Sequence, residues 1–321
     1  MKRLLAWILL AVMALSGCQL KKEEDPMTNP EPVKADAAVF ILLGQSNAVG
    51  HNLPMAGKDK ISEPLKNVFG LHRDPNQSYS INELTWAGYT SDGTNLGETQ
   101  DHTFSVSNCL ASQWQQKIDE GADLPDLYII NISIGAEGVT EKYMWYPGKT
   151  QVLNPGKLGT VNISLFSFSQ HIFSMVDDSF QKMGKTYEYV GLHWRGGEND
   201  ISNVAERPDN PLPGIYKTII DGFNQTLNNP PIYLHYVVAK DRMADYPTNK
   251  KVEVMEEMNA MFDDFTKQYS NVEVFDVRNY PEYDANKKGN NMFQSDMIHF
   301  TRQVNQWVAK AILEGYMNGK A

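Results

Sequence analysis

The sequence is poor in cysteine, in basic residues and in known metal or phosphate motifs, and each shortage excludes a class of protein. Two cysteines among 321 residues are too few for a disulfide framework. The 29 basic residues are outnumbered by 39 acidic ones, which argues against a nucleic-acid partner because phosphate binding needs clustered cations. The chain has no His-Glu-x-x-His motif, no glycine-rich phosphate loop and no internal repeat. We therefore expect no metal and no cofactor.

The first residues are typical of an export signal. Lys2 and Arg3 precede an apolar run, Leu4 to Leu15, that is too short to span a membrane. The sequence Leu15-Ser16-Gly17-Cys18 resembles a bacterial lipobox, which implies a lipid anchor on Cys18. A plain secretory signal ending in the same region is the alternative.

Lipidation of Cys18 would make the protein an exported lipoprotein of the bacterial cell envelope. Residues 1–18 would then be the signal peptide, and the polar, proline-containing residues 19–36 a flexible tether. Gln19 follows the cysteine where an inner-membrane retention signal would have Asp, which favours the outer membrane. Cys109 would be left without a partner, and we expect it to be a small apolar filler in a helix.

Residues 37–321 form one predicted domain in which strand and helix patterns alternate. The chain is 41% hydrophobic, enough for a sizeable core. The alternation favours an α/β fold, a three-layer α/β/α sandwich around a parallel sheet. His193 and His235 fall inside predicted strands, in the core or near the site. The predicted strands are Ala37–Leu43, Asn67–Leu71, Asp126–Ser133, Tyr187–Trp194, Pro231–Val238 and Val272–Val277, and the predicted helices are Thr103–Glu120, Ile163–Met183, Gly214–Leu227, Asn249–Tyr269 and Thr301–Tyr316.

The sequence Gly44-Gln45-Ser46-Asn47 directly follows the apolar run Ala37–Leu43. Seven successive apolar residues bounded by glycine indicate a strand that is buried on both faces. Ligands bind at the carboxyl edge of such sheets, so the strand would present Ser46 where a substrate lies. Ser46 is therefore a candidate nucleophile, and a helix N-cap serine is the alternative.

Two further blocks complete a recognisable pattern. Trp194-Arg195-Gly196-Gly197-Glu198-Asn199-Asp200 ends another apolar run, and Asp296-Met297-Ile298-His299 precedes an amphipathic segment. Together with Gly-Gln-Ser-Asn, these blocks resemble those of the SGNH hydrolases, most closely the sialate O-acetylesterase and acetylxylan esterase branch. The resemblance extends over about residues 37 to 315 and implies a flavodoxin-like central sheet and a serine esterase.

Ester hydrolysis by a serine needs a base, a group that orients the base, and donors for the oxyanion. His299 would be the base for Ser46, because an ordinary imidazole titrates near working pH. Asp296 lies three residues before His299, close enough to hold one ring nitrogen. Helix capping is the alternative role for Asp296, and Glu198 or Asp200 is its rival as the acid.

The resemblance implies three oxyanion donors: the N–H of Ser46, a glycine N–H after the third strand, and an asparagine side chain. Gly135 is the first choice for the glycine and Gly138 the second, and Asn199 would be the asparagine. The acetylesterase branch usually has Gln at position 196 and Ser at position 199, so it stays open whether Asn199 reaches the oxyanion. Residues expected to support the site are Gln45, Glu198 and Asp200.

Predicted loops cover residues 51–101, with one weak strand, and residues 141–159. Aromatic side chains in the second loop would stack on sugar rings, and packing of Trp145 beneath its own loop is the alternative. The expected substrate rim is Tyr143, Trp145, Tyr146 and Arg195.

The resemblance implies a carbohydrate O-acetylesterase that acts on an acetylated sugar of the sialic acid or xylan type. The mechanism would be a Ser-His-Asp acyl-enzyme pathway. Alternatives are an SGNH esterase with another substrate (a peptidoglycan deacetylase, lipase or thioesterase) and a non-catalytic carbohydrate-binding lipoprotein on the same fold.

Overall fold

The first strand, β1 (Ala37–Gly44), is buried along its whole length. Its side chains alternate between two cores, so that Val39 packs on one face of the sheet and Phe40 on the other. A strand that is apolar at every position requires this arrangement, because successive side chains point to opposite faces. The structure, a computed structural model, describes residues 34–55, 57–71, 83–92, 96, 103–148, 164–246 and 250–319.

The described strands form one sheet around β1. After β1 come β2 (Val68–Leu71), β3 (Trp86–Gly88), β4 (Asp126–Ser133), β5 (Tyr187–Arg195), β6 (Ile232–His235) and β7 (Val272–Phe275). Their spatial order is β3-β2-β4-β1-β5-β6-β7. All neighbours pair in parallel except β3, which is antiparallel to β2.

The sheet is flavodoxin-like, as predicted. Taken alone, β4, β1, β5, β6 and β7 have the strand order 2-1-3-4-5, and β2 and β3 extend the edge beside β4. The chain first adds strands on one side of β1 and then, with β5, on the other. The topological switch point, where α/β sheets bind ligands, therefore lies between β1 and β5.

Helices cover both faces of the sheet and complete the three layers. In chain order the described helices are α1 (Ser46–Val49), α2 (Val106–Asp119), α3 (Leu165–Phe173), α4 (Val176–Met183), α5 (Glu198–Val204), α6 (Leu212–Leu227), α7 (Lys240–Ala244), α8 (Lys251–Gln268) and α9 (Arg302–Met317). The core on one face includes α3, α4, α6 and α8. The opposite core includes α2 and α9.

The differences from the predicted elements have local causes. The predicted helix 163–183 is two helices, and its break follows Ser174, whose hydroxyl donates to the carbonyl oxygen of His171. Strand β6 ends before the predicted limit because the Asn259 side chain bonds both the N–H and the carbonyl of Val237. Strand β3 was not predicted. The predicted helix boundaries Ile163 and Asn249 lie outside the described residues.

The expectation that Cys109 fills space in a helix is confirmed. Cys109 is buried in α2, where burial raises the pKa of its thiol. Met258 is buried in α8, and Met261 packs against the same core. Within the described ranges, every helix falls short of the length or the apolar character that a membrane span requires.

Candidate active site

The turn that carries Ser46 requires glycine at its start. Gly44 has a φ of +137°, and a Cβ there would lie 2.1 Å from the carbonyl oxygen of Arg195. The N-cap of α1 is Gln45, with no side-chain capping bond, and Ser46 is the first helical residue. Ser46 is thus not an N-cap serine. It lies at the carboxyl end of β1, beside the switch point.

Asp296 and His299 form a hydrogen-bonded pair. The Oδ2 of Asp296 lies 2.7 Å from the Nδ1 of His299. Its Oδ1 accepts hydrogen bonds from the backbone N–H groups of Ile298 and His299, each at 3.0 Å. Burial works against ionisation, but these bonds outweigh it and hold the pKa of Asp296 below its usual value. The carboxylate both orients the ring and closes the turn.

Asn47, the residue after Ser46, connects the serine turn to the histidine. Its Nδ2 donates to the carbonyl oxygen of Ile298 at 3.0 Å, and its Oδ1 accepts from the N–H of Phe300 at 3.0 Å. These two backbone groups lie on either side of His299. The structure therefore brings Ser46, Asp296 and His299 to one place at the sheet edge.

His51 contacts both the catalytic histidine candidate and the serine turn. The rings of His51 and His299 have centroids 4.5 Å apart, and the N–H of His51 donates to the carbonyl oxygen of Ser46 at 3.0 Å. Among the described residues, the hydroxyl of Ser46 has no hydrogen-bond partner, His299 included. Bonds of this kind are commonly long without substrate and shorten when it binds.

Glu198 holds the serine turn instead of the histidine. Its Oε2 accepts from the Nε2 of Gln45 at 2.5 Å, and its Oε1 accepts from the Nδ2 of Asn47 at 2.6 Å. Burial raises the pKa of Glu198, and hydrogen bonds from its own backbone and from Asn47 oppose that shift. Both carboxylate oxygens are thus engaged by the residues that flank Ser46. The structure pairs His299 with Asp296 and not with Glu198.

Asp200 braces the loop after β4. Its Oδ1 accepts from the N–H groups of Val139 at 2.8 Å and Thr140 at 3.1 Å. Burial raises its pKa to about 7 against those hydrogen bonds. A Cβ on Gly138 would lie 2.5 Å from this oxygen, so the close approach requires glycine. Gly138 therefore allows the Asp200 carboxylate to approach and hold this loop.

The candidate oxyanion donors lie around the same turn. The N–H of Ile134 donates to the carbonyl oxygen of Gly44 at 3.3 Å, which places the next residue, Gly135, beside the start of the serine turn. The Nδ2 of Asn199 donates to the carbonyl oxygen of Glu137 at 3.2 Å. The roles of Gly135 and Asn199 as donors stay predictions.

Two members of the predicted substrate rim are buried, and their assignment is wrong. Trp145 is 0% exposed; its Nε1 donates to the carbonyl oxygen of Gly44 at 3.2 Å. It packs beneath its own loop, which was the alternative. Arg195 is 1% exposed and donates to the carbonyl oxygen of Asn47 at 3.0 Å and to the Oδ1 of Asn305 at 2.9 Å. Its cation is used in holding the serine turn.

The other rim residues are partly exposed. Tyr143 and Tyr146 are neither buried nor fully exposed, and the Tyr143 hydroxyl donates to the carbonyl oxygen of Asn199 at 3.4 Å. Sugar contact by these two side chains stays a prediction. Part of the loop, residues 149–159, lies outside the described residues.

Sequence reasoning missed the role of Asn47. Its position directly after the serine in the Gly-Gln-Ser-Asn block was the one available signal. Its partners Ile298 and Phe300 are more than 250 residues away in the chain, so no local pattern reveals them. His193 and His235 are both buried, with Nδ1 and Nε2 3.0 Å apart, and belong to the core as expected. Among the described residues, no group of three or more His, Cys, Asp or Glu could hold a metal ion.

This chain has the fold of the SGNH hydrolases, a mostly parallel sheet between two layers of helices. The crystal structure of NanS has a TM-score of 0.56 at 16% identity, covering 89% of this chain and 99% of that one. A protein from Arabidopsis thaliana has a TM-score of 0.53 at 14% identity, covering 90% and 100%.

A carbohydrate acetylesterase from Xanthomonas citri, XAC1771, is more distant. Its TM-score is 0.48 at 12% identity, and the match covers 88% of this chain and 57% of that one. Neither a protein-family model nor a curated protein matches the sequence. The likeness to the first two structures, at 16% and 14% identity, establishes the fold alone.

Proposed function

We propose that this protein is a carbohydrate O-acetylesterase that uses Ser46 as nucleophile, His299 as base and Asp296 as the acid that orients it. One observation carries the proposal: Asn47 bonds the backbone on both sides of His299 while His299 is bonded to Asp296. The arrangement supplies a serine, a histidine and an oriented carboxylate at the sheet edge where substrates bind.

In the proposed reaction, the Oγ of Ser46 attacks the ester carbonyl carbon while the Nε2 of His299 takes the hydroxyl proton. Asp296 accepts the Nδ1–H of His299 and stabilises the imidazolium that forms. The tetrahedral intermediate collapses to an acetyl-enzyme, and the sugar hydroxyl leaves with the proton from His299. Water, deprotonated by His299, then releases acetate and restores Ser46.

The oxyanion of that intermediate would accept hydrogen bonds from the N–H groups of Ser46 and Gly135 and from the side chain of Asn199. Removing one such donor typically costs about 10²–10³ in rate. The assignment of Gly135 over Gly138 is supported by the position of Gly138, which packs so closely against the Asp200 carboxylate that a Cβ there would lie 2.5 Å from Oδ1. The assignment of Asn199 is supported by its amide lying against the loop that follows β4.

The acetylated-sugar substrate is supported by the sequence blocks that resemble the sialate O-acetylesterase and acetylxylan esterase branch. Tyr143 and Tyr146 are the partly exposed aromatic side chains available in the loop after β4, where selectivity usually resides. They would contact the sugar side of the ester.

The test is hydrolysis of p-nitrophenyl acetate by protein starting near Asp25, followed by acetate release from acetylated xylan and acetylated sialic acid. We expect Ser46→Ala to abolish activity and Asn199→Ala to leave a measurable remainder, lower by about 10²–10³. Full activity of Asn199→Ala would remove Asn199 from the oxyanion hole. A folded parent protein without activity would favour the carbohydrate-binding alternative, to be examined on glycan arrays.

We further propose that the chain is exported and anchored to the bacterial outer membrane through a lipid on Cys18. Cys18, the signal segment and most of the tether lie outside the described residues. The proposal is supported by the lipobox-like sequence Leu15-Ser16-Gly17-Cys18. Full-length protein should incorporate labelled palmitate in bacteria, and Cys18→Ala should not. Equal labelling of both forms would overturn the anchor.

A further inference from the structure

We propose that Asn47, held in place by Glu198, is a positioning residue that sets His299 against Ser46. The inference rests on the proposed serine-esterase function and adds a residue pair that the triad does not include. Asn47 follows the nucleophile directly, and its side chain is bonded to the segment that carries the base.

The amide of Asn47 is fully engaged. One Nδ2 hydrogen goes to Glu198 and the other to the carbonyl oxygen of Ile298, while Oδ1 accepts from Phe300. Asn47 is 3% exposed, so water does not substitute for these partners. Only a carboxamide offers two donors and an acceptor in this geometry. A carboxylate would oppose the oxygens of Glu198 and Ile298 with a third oxygen.

Glu198 and Arg195 fix the position of Asn47 from the side of β5 and α5. Glu198 is the first residue of α5 and is separated from the end of β5 by two glycines. Its two oxygens bind the residues before and after Ser46. The buried Arg195 at the end of β5 also donates to the carbonyl oxygen of Asn47 at 3.0 Å. The position of Asn47 is therefore set from β5 and α5 and transmitted to the segment 298–300.

The orientations of the two amides differ in how strongly they are constrained. Asn47 cannot rotate by 180° without losing its bonds to Ile298 and Phe300. The Oε1 of Gln45, by contrast, has no hydrogen-bond partner among the described residues. In Glu198→Gln, the Oε1 of the introduced glutamine would still accept from the Nδ2 of Asn47. Its Nε2 would donate to the Oε1 of Gln45 once the Gln45 amide has rotated by 180°. This variant should keep the connection.

The experiment compares Asn47→Asp, Glu198→Gln and the double variant with the parent. The first measurement is the rate at which a fluorophosphonate probe labels Ser46, since this requires an aligned base but no acetyl substrate. The second is kcat and KM for p-nitrophenyl acetate, and the third is the thermal midpoint. A matched control is Asn271→Asp, because Asn271 also donates to two oxygens, of Asn224 and Pro230, but lies before β7 at the opposite sheet edge.

We expect Asn47→Asp to lower the labelling rate and kcat by about 10- to 100-fold, the effect of one or two buried hydrogen bonds left unmade, with KM nearly unchanged. Glu198→Gln should lower both by a smaller factor, about three- to tenfold, because the bond from Asn47 remains but loses the strength that the carboxylate charge gives it. The double variant should have a higher labelling rate and kcat than Asn47→Asp, because the glutamine introduced at position 198 offers a hydrogen-bond donor to the new carboxylate at position 47. The control should lose thermal stability and keep its labelling rate.

Labelling of Asn47→Asp at the parent rate would overturn the proposal, as would an equal loss of labelling in Asn271→Asp. Should Asn47→Asp fail to fold, Asn47→Ala takes its place with the same expectation, because it removes the amide without adding charge. A parent that is labelled but does not hydrolyse acetyl esters overturns the proposed function alone. A parent that is not labelled overturns the positioning proposal, since Ser46 and His299 would not be aligned.

Discussion

Replacing Asp296 by Asn separates the two tasks of this carboxylate. The Oδ1 of the introduced asparagine can still accept from the N–H groups of Ile298 and His299, which lie 3.0 Å from the present Oδ1, so the turn keeps its backbone bonds. The second oxygen, 2.7 Å from the Nδ1 of His299, becomes an NH₂ group. It then donates to Nδ1, which forces the ring proton onto Nε2, where a base must have none.

The size of the effect follows from that change of tautomer. A serine triad whose acid becomes an amide loses about 10⁴ in kcat. The Asp296 side chain is 34% exposed, so water can partly take its place, and we expect a loss of about 10³- to 10⁴-fold in kcat/KM. At about 1.4 kcal/mol per factor of ten, this is about 4–5.5 kcal/mol of transition-state stabilisation. The free energy of unfolding should change by less than about 1 kcal/mol.

The assay is p-nitrophenyl acetate hydrolysis together with urea unfolding of the parent, Asp296→Asn and Asp296→Ala. The alanine variant loses the turn bonds as well, so it should be less stable than Asp296→Asn by about 1–2 kcal/mol. If Asp296→Asn kept a tenth or more of the parent activity, the assignment of the acid would be refuted, and Glu198 or Asp200 would have to be reconsidered.

Two further predictions concern the framework of the site. Gly44→Ala should prevent folding or lower the thermal midpoint severely, because its Cβ would lie 2.1 Å from the carbonyl oxygen of Arg195; a circular-dichroism melt like the parent's would contradict this close approach. Asp200 has a pKa raised from 3.8 to about 7, so the folded state binds the extra proton and the parent should lose stability as pH rises from 3.8 to about 7. Asp200→Asn should remove that loss. The check is urea unfolding across this range, and a pH-independent difference between variant and parent would count against the raised pKa.

Much of the fold could be predicted because its determinants are local. The apolar run before Gly44 indicated a central strand, and the spacing of Asp296 and His299 placed both in one turn, where their hydrogen bond forms across three residues. Short elements escaped prediction. Strand β3 has three residues and exists through its antiparallel pairing with β2, and such pairing leaves little periodicity to detect.

The sequence by itself determined the layer architecture and the place of Ser46 at the end of β1, and it favoured Asp296 over Glu198 and Asp200 as the partner of His299, because strand burial, turn geometry and a three-residue spacing are all local. Only the tertiary structure decided which polar side chains face the reaction and which hold the site together. Trp145 and Arg195 are residue types that could serve at a surface, yet both are buried against the serine turn, where Trp145 donates to the carbonyl oxygen of Gly44 and Arg195 to that of Asn47. Asn47 meets its partners across more than 250 residues, a contact that exists only once parallel strands have brought the carboxyl ends of distant segments to one edge.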